Sequence, residues 1–255
     1  MRAVWAIAVN TFREAIRDRI LYLFVGFAVV MVVSSKLFGM LTVGDEAKII
    51  KDIGLASMQF FSMLVAVLMS MILISREVDN RTVFNILAKP VRRWQFILGK
   101  YFGLVAIVGA NLLLITVVLV VTVLLATGEL DLMLVFAAAM TMLEMLVLAA
   151  FATLFAVLTR PILGSLMTLA VFVVGHMSAD LWLLTRQLPG TVTKVAVTVV
   201  YYLLPNLERF DFRTEVVHGL SIPPAAVGWA VVYAAVFVAM VLFLAHLRFR
   251  TKDLK

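Results

Sequence analysis

The sequence predicts an all-α integral membrane protein with six transmembrane helices, and three observations carry that expectation. Hydrophobic residues make up 64% of the 255 positions and charged residues only 15%, whereas a soluble domain is about half apolar and a quarter charged. Six apolar runs, at 20–43, 53–75, 97–126, 132–158, 162–185 and 224–247, each suffice for the ~20 helical residues that cross a ~30 Å hydrocarbon core. Basic residues gather on one side of those runs. Fifteen of the 22 Lys and Arg residues fall on the amino-terminal side, six fall opposite, and Lys36 lies within a span. The positive-inside rule therefore places both termini in the cytosol, and the expected location is a plasma (inner) membrane, crossed several times.

Composition also excludes. One membrane domain leaves little of the chain for a soluble catalytic domain. With no cysteine, disulfides, iron–sulfur clusters and cysteine-based zinc sites are ruled out. The net charge of +7 follows membrane sidedness, and no basic–aromatic module for nucleic acid is present.

Residues 1–19 are amphipathic. Trp5, Val9, Phe12 and Ile16 recur at i, i+4, i+7 and i+11, while Arg13 and Arg17 fall elsewhere with Asn10, Glu14 and Asp18. Such a helix lies in the headgroup layer with its arginines near anionic lipid. Its charged part is too long, and the apolar run after it too long, for a cleavable signal.

Ser75 to Gly103 is the long basic interruption between spans. Asp79 or Asn80 is suited to cap a short helix on which Val83, Phe84 and Leu87 share a face. Pro90 ends that helix, and another starts near Arg92. The order Arg76-Glu77, Arg81-Thr82, Val83-Phe84, Ile86-Leu87, Lys89-Pro90, Arg93-Trp94 and Leu98-Gly99-Lys100 resembles the cytosolic loop of ABC-2-type ABC transporter permeases. Closest is the sub-family linked to maturation of multicopper enzymes such as nitrous-oxide reductase. The resemblance implies that 76–96 is a coupling loop docking on a separate ATPase subunit, with Phe84 and Leu87 in its groove. Arg76, Glu77, Asp79, Arg81, Thr82, Val83, Lys89 and Pro90 would complete that contact. It also implies an elbow helix at 1–19, carrying Trp5, Phe12, Arg13 and Arg17, and a dimer of two permeases on two ATPases. ATP and Mg²⁺ would then belong to the partner, since the chain has no G-x-x-x-x-G-K-[ST] loop: Gly99-Lys100 is followed by Tyr101, and position 94 is not glycine.

Span three carries Gly99, Gly103, Ala106 and Ala110 on one stripe, which lets a helix approach closely, either within the bundle or across a dimer. In the loop 186–223, the apolar piece Val192 to Leu204 is too short to span and is interrupted by Pro205. It reads as a re-entrant or interfacial segment with Tyr201 and Tyr202 at headgroup level. Leu203-Leu204-Pro205-Asn206-Leu207-Glu208 resembles the outer loop of the same sub-family, adding Asn206, Glu208 and Arg209 as contacts for an extracytoplasmic protein.

Ionisable groups within a bilayer are costly unless paired or hydrated, which singles out Lys36, Glu144 and Asp180 as pathway candidates, with Asn111 as a weaker one. Glu144 lies about 18 Å below the outer end of its span. Lys36 is placed either to pair with Asp180 or to reach towards Glu144. His176 and Asp180 share a helix face, but two residues do not make a metal site, and the methionines suit packing as well as Cu(I). No nucleophile, base and orienting group assemble, so no catalysis is expected in this chain. Two functional classes stand: an ABC transporter permease, exporting a substrate or transmitting force to an outer protein, and a stand-alone channel or scaffold centred on Glu144.

Overall fold

A computed structural model of the chain describes residues 2–40, 45–79, 92–178, 183, 195, 197–198, 201 and 204–251, with side chains undescribed at 73–79 and 250–251. Among the described residues all regular structure is helical. The first helix, α1 (Arg2–Ile16), gives way to α2 (Arg19–Met40) at a sharp break. There the Ile20 amide donates to Asp18 Oδ1 at 3.0 Å, so one carboxylate caps the second helix. Next comes α3 (Glu46–Asp79). α4 (Arg93–Thr127) opens with the Arg92 amide donating to Gln95 Oε1 at 3.0 Å and closes on Gly128 at φ +75°. α5 (Met133–Leu158) opens with the Met133 amide donating to Asp131 Oδ1, and α6 (Pro161–His176) starts on the proline. A 3₁₀ turn (Leu207–Phe210), a short α7 (Arg213–His218) and the long α8 (Pro224–Thr251) complete the described chain.

Among the described residues, five helices are long and apolar enough to cross a membrane: α2, the stretch Glu46–Ile72 of α3, α4, α5, and Pro224–Phe249 of α8. The sixth expected run, 162–185, is continuous helix only over Pro161–His176, 16 residues, and much of its remainder lies outside the described residues. Span ends also differ. The second was expected at 53–75, yet α3 begins at Glu46 and continues through Asp79. A hydropathy reading ends a span where charge begins, but Glu, Lys and Arg are good helix formers and let the helix continue into the interface. Asp79, expected at the start of a new short helix, is instead the last residue of α3. Residues 80–91 of the coupling loop lie outside the described residues.

α5 is the axis of the bundle. Buried positions make up 67% of its most apolar window, against 61% in α3, 44% in α4, 22% in α2 and 17% in α8. It packs on α3, α4, α6 and α8, and Ala149, Ala150 and Ala152 let neighbours close in on several sides. α2 and α8 stay peripheral, showing Phe27, Leu37, Phe243 and Leu244 on their outward faces. At the end of the bundle near α1, the Arg93 guanidinium donates to the Phe249 carbonyl at 3.0 Å, while Phe96 stacks on Phe249. Lys100, expected among the cytosolic basic residues, is only 2% exposed, inside this packed end.

Candidate functional site

Glu144 sits near the middle of α5, about 16 Å of helix rise from Met133, with 1% of its surface exposed. Apolar burial of a carboxyl demands partners, and α3 and α6 supply them. Gln59 Nε2 donates to Glu144 Oε2 at 2.9 Å. The same amide nitrogen stands 2.9 Å from His176 Nε2, and His176 Nδ1 stands 3.0 Å from the Phe172 carbonyl. With Nδ1–H donating to that carbonyl, Nε2 is the acceptor that the second amide hydrogen needs. His176 Nε2 also lies 3.4 Å from Glu144 Oε1, an oxygen with no hydrogen-bond partner.

One amide thus holds an imidazole and a carboxyl from two other helices. Sequence reasoning found Glu144 but paired His176 with Asp180, which lies outside the described residues. It missed Gln59, because beyond the ionisable residues it weighed only the amide Asn111; a second lone amide in an apolar run was the available signal. Lys36, half-buried on α2, is not a partner of Glu144. Asn111 belongs to a separate contact, donating to Ser62 Oγ at 3.3 Å with its own Oδ1 unpartnered.

Above this cluster, at the end of the bundle away from α1, residues 204–218 form a cover. A small cavity of about 10 Å³ lies beneath it, lined by Gln59, Thr141, Phe210, Asp211, Phe212 and Arg213 among others. The cover is keyed to three helices. Arg213 Nε pairs with Asp52 of α3 at 3.0 Å. The Asn206 amide donates to the Tyr233 hydroxyl of α8 at 2.8 Å, and Arg209 lies over the Tyr233 ring at 5.1 Å. Leu207, fully buried, fills the notch left by Gly175 of α6. Of the other outer-loop candidates, Pro205 is buried and structural, Glu208 is exposed, Tyr201 is half-buried in helix, and Tyr202 lies outside the described residues.

The notch gives a test. A Cβ on Gly175 would stand 2.7 Å from Leu207 Cγ and 2.9 Å from the Pro205 carbonyl oxygen, so Gly175→Ala must push the cover away. Expected are a loss of about 1–3 kcal/mol and faster amide exchange confined to 205–213, measured by hydrogen–deuterium exchange mass spectrometry. Unchanged exchange there would show the cover is not seated on this glycine.

At the other end, α1 lies in a groove on α4. A Cβ on Gly99 would stand 2.6 Å from Ile7 Cβ, and one on Gly103 would stand 2.6 Å from Thr11 Cβ. These two glycines therefore seat α1 within the chain, while Ala106 and Ala110 face outward. On α1 the buried face is Ala8, Thr11 and Ala15; Trp5 and Ile16 point outward, and Phe12 packs partly into the core. Arg13 and Arg17 line an open cleft of about 540 Å³ with Asn10, Glu14 and Asp18. Of the coupling residues, Arg76, Glu77 and Asp79 continue the backbone of α3, and Arg81, Thr82, Val83, Phe84, Leu87, Lys89 and Pro90 lie outside the described residues.

Several apolar helices long enough to span, grouped around a buried polar cluster and covered at one end, define a helical multi-pass membrane protein. The family model for "ABC-2 family transporter protein" matches residues 5–254, and the chain belongs to that family. It is a membrane permease component of an ABC transporter, a membrane subunit of a family that pairs in general with ABC ATPase subunits. A search of curated proteins finds no match.

Proposed function

We propose that the chain is half of a dimeric, ATP-driven permease with six spans and both termini in the cytosol, closest to the multicopper-enzyme maturation sub-family. Two copies pair with two ATPases, which hold ATP and Mg²⁺, and α1 acts as the elbow helix beside them. The observation that carries this reading is the pair of helices on either side of the coupling loop. α3 has 34 residues and α4 has 35, about 50 Å each against a ~30 Å hydrocarbon core. α3 continues past its apolar stretch, Glu46–Ile72, to Asp79, towards where Arg76, Glu77 and Phe84 would meet the ATPase, and at its other end it carries Asp52 under the cover. Movement at the loop is thereby delivered to the opposite face without a hinge in α3.

Force transmission to an extracytoplasmic protein is the second reading, favoured by how firmly the cover is keyed to α3, α6 and α8. Export of a substrate between two copies uses the same levers. The deciding experiment starts from the complex of this chain with its ATPase. Phe84→Asp is expected to abolish stimulation of ATP hydrolysis while membrane insertion persists, because a charge replaces the apolar anchor of a helix laid in a groove. Full stimulation in that variant would overturn the coupling assignment. Replacing residues 186–223 then separates the two readings: loss of a co-purifying protein supports force transmission, and loss of substrate efflux supports export.

A further inference from the structure

We infer that Glu144, Gln59 and His176 form a binding site for a single proton, supplied by water through the cavity beneath the 204–218 cover, and that the proton changes how α3, α5 and α6 are tied together. The inference goes beyond the ATPase reading and does not need it. It stands on geometry. Glu144 Oε1 has no hydrogen-bond partner and faces His176 Nε2 at 3.4 Å, so the gap between them lacks one hydrogen. Gln59, the residue that ties both groups, is also in the wall of the cavity. That cavity, about 10 Å³, has room for about one water. Thr141, Asp211 and Arg213 provide the polar lining such a water requires.

The step is a simple transfer. A hydronium ion at the cavity gives up its proton and remains as water; the proton ends between Glu144 Oε1 and His176 Nε2, as a carboxylic acid beside a neutral imidazole or as an imidazolium beside a carboxylate. In either form Nε2 is taken up by Glu144 Oε1, through its lone pair or through its one hydrogen, so it no longer accepts from the Gln59 amide and that approach at 2.9 Å has to break. Gln59 keeps its bond to Glu144 Oε2. One proton thus exchanges a tie between α3 and α6 for a tie between α5 and α6.

Few other charges bear on the cluster. From the cover come Asp211 and Arg213, and the latter is paired with Asp52 of α3. Beyond Asp52, Lys51 of α3 is paired with Asp131 at 2.6 Å. Glu144 is the sole ionisable residue of α5, and His176 that of α6. α4 turns Asn111 to Ser62 and the Tyr101 hydroxyl to the Leu146 carbonyl. α8 contributes Tyr233, whose hydroxyl is engaged by Asn206. Lys36 stands on α2, half-buried.

The test uses the full-length chain in lipid nanodiscs, titrated from about pH 5 to 9. Infrared difference spectra report a carboxylic C=O band, and ¹⁵N resonances of labelled histidine report imidazolium. The expected result is a one-proton transition in one or other signal, abolished in Glu144→Gln and displaced at least tenfold in proton concentration in His176→Gln. Thr141→Cys, the sole thiol in a chain without native cysteine, should react with a charged thiosulfonate from one side of sealed vesicles, and blocking it should slow the transition. Absence of a Glu144-dependent signal across that range overturns the site, as does a midpoint untouched by His176→Gln. An unreactive Thr141→Cys with normal transition kinetics overturns the route.

Discussion

Gln59→Leu is expected to destabilise the protein more than Glu144→Gln, although Glu144 is the ionisable member of the pair. Leucine removes the amide that serves Glu144 Oε2 and His176 Nε2 together, leaving a carboxyl and an imidazole nitrogen buried without that donor. Such a loss costs about 2–3 kcal/mol. Glutamine at 144 keeps the shape and an acceptor for Gln59, so that variant should fall within about 1 kcal/mol of the parent. Thermal unfolding of the purified protein in detergent checks the order. The double variant Gln59→Leu, Glu144→Leu should recover part of the single loss, because two missing partners are tolerated better than one orphan. Additive losses would mean that the two residues do not act on each other.

Gly103→Leu is the second large effect. A Cβ there would stand 2.6 Å from Thr11 Cβ and 3.0 Å from the Ala8 carbonyl oxygen, and a backbone atom cannot swing aside as a side-chain tip does. α1 must leave its seat. The expected cost is about 1–3 kcal/mol, with faster tryptic cleavage after Arg13 and Arg17 as the released helix becomes accessible. Ala106→Leu is the control. Ala106 continues the same small-residue stripe but faces outward, so its effect on stability should stay within about 0.5 kcal/mol. A subunit-association assay on both variants then says whether the outward half of the stripe meets a second copy. If Gly103→Leu leaves cleavage at α1 unchanged, the groove is not what holds that helix.

How far the fold was legible depended on the scale of the signal. The long apolar runs behind α2, α4, α5 and α8 are averages over twenty or more residues, and such averages survive errors at any one position. Helix ends are single-residue decisions, and there charge misled: Glu46 to Asp52 and Arg76 to Asp79 look like loop to a hydropathy reading but are compatible with helix. The stripe at Gly99 and Gly103 announced a close approach without saying whose. Only packing revealed the occupant as α1, whose buried residues are Ala8, Thr11 and Ala15 rather than the larger Trp5 and Ile16.

The candidate site divides in the same way. Glu144 could be singled out from the sequence because a carboxyl in an apolar helix is costly wherever that helix packs. His176 and Gln59 lie 32 positions after it and 85 before it, on different helices, and nothing in local spacing joins them. Composition and periodicity alone determined that this chain is helical and membrane-embedded, since those are properties of each segment taken separately. Tertiary structure decided which helix stands at the centre, which face of α1 is buried and which amide meets the buried carboxyl. Each of those depends on contacts between segments far apart along the chain, where the geometry of packing carries the information.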